Sequence, residues 1–176
     1  MATFIKIAQT EVGAGGAANI DFTVIPSTYT DLCLKFSLRT SGTADNFENV
    51  KVQFNGSGGT AYSDRLLYGN STAAASASNS SQAVTYFQYS NSAGSDASTF
   101  GNGELYIPNY AGSNYKSVSV DSVTEKNAGA TNSAITALAA ELWASTSAIN
   151  RITLTPNVAT LFAQYSTATL YGIKNS

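Results

Sequence analysis

Along almost the whole chain, apolar and polar residues alternate with a period of two, the spacing of a half-buried β-strand. Asn19–Ile25 shows it clearly, with Ile20, Phe22 and Val24 inward and Asn19, Asp21 and Thr23 outward; in Leu32–Arg39, Leu32, Leu34, Phe36 and Leu38 share a face. The short, turn-rich link between them predicts either a neighbouring antiparallel pair or a corner between two sheets. Asn49–Asn55 places Val50, Val52 and Phe54 inward and Lys51 and Gln53 outward, then ends in an emphatic NGSGG turn. Thr3–Val12, Ser63–Tyr68, Ala83–Tyr89, Gly103–Pro108, Tyr115–Thr124 and Ile149–Thr155 read as further strands. In Ala83–Tyr89, Val84 and Tyr86 fall on one face and Phe87 and Tyr89 on the other. In Tyr115–Thr124, Val118 and Val120 point inward and Val123 is out of phase, which predicts a bulge or a lost partner.

The last strand, Gln164–Ile173, is the longest run of β-formers. Tyr165, Thr167, Thr169, Tyr171 and Ile173 share one face; Ser166, Ala168, Leu170 and Gly172 share the other, which is small enough for something to pack closely against it. A strand of this kind is expected to pair inside a sheet. Two stretches depart from the pattern. Gly69–Gln82 is a run of Ser, Ala, Asn and Thr that buries little apolar surface and reads as a long exposed loop, with an Ala-rich helical turn as the alternative. Thr131–Ser145 fits a helical period through Ile135, Leu138, Ala139 and Leu142 and a strand period through Leu138, Ala140 and Leu142; its all-β neighbours decide for strand. About nine or ten strands separated by turn signals, with no strong helix, predict one all-β domain over residues 1–176, an antiparallel two-sheet sandwich. The strand count favours a jelly-roll-like topology, with an immunoglobulin-like sandwich as the alternative.

Composition narrows the function. Only 11% of the 176 residues are charged, against roughly 25% in typical soluble domains. Ser, Thr, Asn and Gly take their place, giving a neutral-polar surface of extracellular or virion type. With a net charge of −2 and nine scattered Lys and Arg, the chain has no electrostatic footprint for nucleic acid. No apolar run approaches the ~18 residues of a membrane helix, and the N-terminus lacks the features of a signal peptide. The chain has no histidine, which excludes Ser-His-Asp and Cys-His nucleophile systems and any metal site built on His. The one cysteine, Cys33, shares its alternation with Lys35, Ser37 and Arg39 and reads as a small strand residue.

Other chemistry is sparse. Glu104 and Asp121 are the carboxylates best placed to meet, as a glycosidase would need, against the plainer reading of two solvated strand residues. Asp45, Asn46 and Glu48 form an oxygen-rich cluster of the kind calcium favours, but one without EF-hand spacing and made of ordinary turn formers. Arg65 and Arg151 are isolated cations in apolar strands, expected to pair with a carboxylate or to snorkel. No cofactor is implied and the chain reads as a non-enzyme. Of the ten tyrosines, Tyr62, Tyr68, Tyr86, Tyr89, Tyr106, Tyr110 and Tyr115 lie in or beside predicted loops and strand ends. They fit three roles: stacking on sugars, anchoring a protein interface, or packing within sheets.

Four phrases carry a family resemblance: the ending STATLYGIKNS, ELYIPNYAGSNYKSVSVDSV at Glu104–Val123, INRITLTP at Ile149–Pro156, and the opening MATFIKIA. In order and over most of the chain, they resemble small β-rich virion structural proteins of tailed bacteriophages, of the capsid-decoration (cement) or fibre type. That resemblance implies a structural protein on the outer capsid surface, assembled in the host cytoplasm. Its partners would be the major capsid protein and copies of itself as a homotrimer. An exposed N-terminal strand is expected to add to a neighbour's sheet edge. The alternative is a tail-fibre or head-fibre tip that binds a host surface glycan.

Overall fold

A computed structural model describes residues 2–127 and 134–174. These residues form twelve strands and no helix. They are β1 (Thr3–Glu11), β2 (Ile20–Phe22), β3 (Asp31–Thr40), β4 (Phe47–Phe54), β5 (Tyr62–Asn70), β6 (Ala73–Gln82), β7 (Thr85–Ser92), β8 (Gly101–Ile107), β9 (Lys116–Thr124), β10 (Ile135–Trp143), β11 (Ile152–Pro156) and β12 (Thr167–Lys174). The strands make one large sheet in two antiparallel runs. The long run is β1-β12-β3-β8-β9-β10-β5-β6; the short run is β2-β11-β4-β7. They join where Arg39 and Thr40 of β3 pair in parallel with Asn91 and Ser92 of β7. The all-β, mostly antiparallel fold expected from the alternation is the one observed.

The inward faces of the two runs meet. Phe36 of β3 lies 4.0 Å, centroid to centroid, from Phe87 of β7. Phe54 of β4 packs against Trp143 of β10 and Tyr62 of β5, and the Phe54 amide donates to the Tyr62 hydroxyl at 2.9 Å. Leu34, Val52, Leu105, Val120, Leu154 and Leu170 belong to the same buried cluster. At the junction the inward turn of the chain buries polar groups that must be satisfied. Arg39 donates from Nη1 to the Asp96 and Thr99 carbonyls and from Nη2 to that of Ser95, which holds the loop after β7. Its own amide donates to the Ser166 hydroxyl.

The last strand sits inside the long run, between β1 and β3. Its small face points inward: Ala168, Leu170 and Gly172 are buried. The Tyr29 ring lies so close over Gly172 that an added Cβ would fall 2.3 Å from it. The strand begins only at Thr167, because Gln164 and Tyr165 make a turn in which Tyr165 takes a φ of 69°. β1 is not a free arm, since it pairs with β12 from Thr3 to Glu11.

Several local expectations are corrected. Gly69–Gln82 is not a loop: β6 occupies most of it and pairs with β5. Main-chain ladder bonds need no apolar side chains, and the Asn70 Oδ1 pins the tight turn by accepting from the Thr72 and Ala73 amides. β9 has no bulge at Val123. It alternates without a break, with Ser122 inward and Val123 outward. The inward position is small because the Phe36 ring passes close over Gly103, the register partner of Ser122. Val24 does not join the core. It is 88% exposed with a φ of 55°, and the chain turns there so that Ile25 is buried instead. β2 and β3 lie in different runs, so their link is a corner. Ile135–Trp143 is a strand; residues 131–133 of the ambiguous stretch lie outside the described residues.

Candidate interaction surface

The seven tyrosines are not gathered into one site. Tyr62 begins β5 and Tyr110 lies in the turn after β8, a strand end and a loop as expected, but both rings are buried in the core, which corrects their reading as interface candidates. Tyr62 stacks on Trp143, and burial pushes its phenol up to about 12. Tyr110 donates to the Pro26 carbonyl and accepts from the Tyr29 amide. Fully buried rings offer no surface to a partner. Tyr68 and Tyr89 are half-buried against each other, and Tyr89 packs edge-on to Phe47. Tyr86 is half-buried on β7. Tyr106 is half-buried and donates to the Asp31 carboxylate at 2.8 Å. Tyr115 alone among the seven is mostly exposed.

The outer face of the long run is assembled by register. Because the leucines of β3 point inward, Cys33, Lys35 and Ser37 point outward. Pairing then lines up Lys35, Glu104, Asp121, Leu138, Leu67 and Ser76 across six successive strands. One end of this row is charged. Lys35 bridges Glu104 at 2.6 Å, and that bond raises the lysine's proton affinity. Asp121, directly opposite Glu104, is pushed above the ordinary carboxylate range, by desolvation first and then by Glu104's charge.

The other end is apolar. Leu67 and Leu138 face each other across β5 and β10, 58% and 57% exposed. Small neighbours, Ser76, Ser119 and Ala140, leave a shallow depression of about 740 Å³ around them. A second depression of about 430 Å³ lies on their other side, bounded by Tyr68, Gly69, Ala74 and Thr136. Neither leucine was singled out from sequence as outward-facing. Parity could have found both. Trp143 in the core makes the even positions of β10 outward, and Arg65 outward makes Leu67 outward too.

The remaining polar candidates are engaged structurally. Glu104 and Asp121 do meet, but as direct cross-strand neighbours on an open face. They stand side by side on one face of the sheet rather than facing across a cleft, as a glycosidase would need, and Glu104 is taken up by Lys35. The Glu48 carboxylate accepts from the Thr40 hydroxyl and from the Val158 and Ala159 amides, clamping the turn after β11. Asn46 Oδ1 accepts from Lys126, and the Asp45 carbonyl accepts from the Ser92 hydroxyl. Among the described residues no three Cys, Asp or Glu side chains converge as metal ligands would. Arg151 grips Asp21 with two bonds, and its guanidinium holds that carboxyl below the usual range. Arg65 donates to the Asp64 and Asn79 carbonyls at the rim of the larger depression. Cys33 is fully buried and its thiol is pushed up to about 12, chiefly by desolvation, so it is a poor nucleophile. No family model, curated protein or solved structure matches the chain.

Proposed function

We propose that the protein is a structural virion component that decorates the capsid of a tailed bacteriophage, docking on the shell through the outer face of its long strand run. The observation that carries this reading is the exposed Leu67–Leu138 pair. Two large apolar side chains share a broad, open sheet face bordered by small and polar residues, as at the centre of a protein interface. The family resemblance of the strand and turn phrases supports the choice of partner, the major capsid protein. Docking at many copies per particle would let modest single contacts hold the shell together.

Quantitative mass spectrometry of purified particles tests the reading. A copy number equal to that of the major capsid protein, or a simple icosahedral fraction of it, is the expected result. A handful of copies would place the protein in a fibre and make a host glycan the ligand to pursue. Complete absence from particles would overturn the virion assignment.

A further inference from the structure

Among the described residues the long run ends in two open edges, β1 and β6. An open edge presents unpaired amides and carbonyls, and folded proteins usually guard it with charges, proline, bulges or brevity. β1 carries Lys6 and Glu11, and its register slips between Lys6 and Ala8. The open edge of the short run, β2, is three residues long and carries Asp21. β6 has almost no such protection. Its ten residues, AAASASNSSQ, include no charge and no proline, and nearly all are exposed. Its one register shift lies near Gln82, so Ala73–Asn79 stays regular along β5.

The charge pattern identifies the occupant. When two identical strands pair antiparallel about a two-fold axis, the central residue faces its own copy and its neighbours face one another. A charge near the centre would therefore repel itself, because like charges directly opposite are destabilising. β6 meets this demand, and β1 does not. A different partner would be selected by complementary charge, of which β6 offers none.

We propose that two copies of this chain pair through β6, antiparallel, into one continuous sheet. This two-fold association replaces the trimer that the resemblance implies. The axis stands perpendicular to the sheet, so both outer faces look the same way and two Leu67–Leu138 patches share one surface. The inference does not depend on the virion assignment: it concerns the protein in solution, whereas that assignment is tested in particles.

Light scattering on the size-fractionated full-length chain, over a concentration series, decides it. The wild type should show about twice the 18.3 kDa chain mass. Ser76→Lys puts a charge in the middle of the regular stretch and should remove the dimer while leaving the far-ultraviolet circular dichroism spectrum of the folded chain unchanged. Thr3→Lys, on the other edge, should leave the dimer intact. A wild type that stays monomeric at every concentration, or forms a trimer, would overturn the proposal. So would a folded Ser76→Lys protein that still dimerises, or a Thr3→Lys protein that dissociates. Should Ser76→Lys fail to fold, Ser78→Glu reads the same edge with the opposite charge and must give the same loss.

Discussion

Gly172→Ala should destabilise the protein although it adds only a methyl group in a strand. Taken alone, the exchange would help, since Gly in a strand interior is roughly 0.5–1 kcal/mol worse than Ala through its extra unfolded-state freedom. What reverses the sign is Tyr29. An added Cβ would lie 2.3–2.5 Å from three ring carbons, far inside contact distance. The ring is not free to retreat, because the adjoining Thr30 amide is bonded to the Ile173 carbonyl at 2.8 Å. Overpacking of this kind costs about 1–3 kcal/mol. In a chain of this size about 2–4 °C of melting temperature is lost per kcal/mol. Urea unfolding followed by the fluorescence of the single tryptophan, buried Trp143, measures it directly. The decisive comparison is a double-mutant cycle with Tyr29→Ala, in which the alanine at 172 should become neutral or stabilising, a coupling of about 1 kcal/mol or more. An equal cost with and without the Tyr29 ring would refute the packing argument.

Three further outcomes follow from the surface and from titration. Leu67→Asp and Leu138→Lys, the latter opposite Asp121, should each change stability by no more than about 0.5 kcal/mol, as exposed positions do, yet abolish co-sedimentation with capsids; intact binding would remove these leucines from the interface. Asp21 and Asp121 should shape the pH profile in opposite senses. The Arg151 bond lowers the folded pKa of Asp21, so its contribution is complete above the unfolded value of about 3.9 and is lost as pH falls through the folded one. Asp121 is raised, so its ionisation costs stability as pH climbs from the unfolded value through the raised one. In denaturation at a series of pH values, Asp21→Asn should therefore lose stability at neutral pH and Asp121→Asn should gain it, both differences fading in acid. Cys33 should resist a thiol reagent at pH 8 in the native protein and react promptly in denaturant; fast native labelling would contradict its burial.

How much of this was legible in the sequence depended on which force set each element. Strands whose one face is filled by the core, such as Leu32–Leu38 and Val50–Phe54, announced themselves because side-chain burial imposes the period-two pattern. β6 could not, because its pairing is main chain to main chain and its exposed residues record no burial. The phase of β10 was hidden for a related reason. Alanines on both faces and outward leucines blur the alternation, and only Trp143 fixes which side is core. Val24 was misplaced because a positive φ re-aims the chain where the composition gives no glycine to mark it. The tyrosines divided between core and surface because an apolar ring with a polar tip suits either. The candidate surface was the least legible feature, since Leu67 and Leu138 become neighbours only through a register that joins residues 71 positions apart.

The scarcity of charge now has a structural reading. The long run is wide and its outer face is left uncovered, so many strand positions must meet water without being ionic. On that face Lys35 and Glu104 lie together beside Asp121, toward one side of the sheet. The strands beyond them, β10, β5 and β6, present Leu, Ala, Ser and Thr there, with Arg65 turned onto main-chain carbonyls. Bringing a partner onto that neutral third requires little removal of water from ions, which is the step that most often cancels the gain from burial. The apolar pair and the unguarded edge lie in this same third, so a second copy at the edge and a shell beneath the face could bind together without competing. Charging Leu138, two strands in from the edge, should weaken the shell contact and leave the self-association intact.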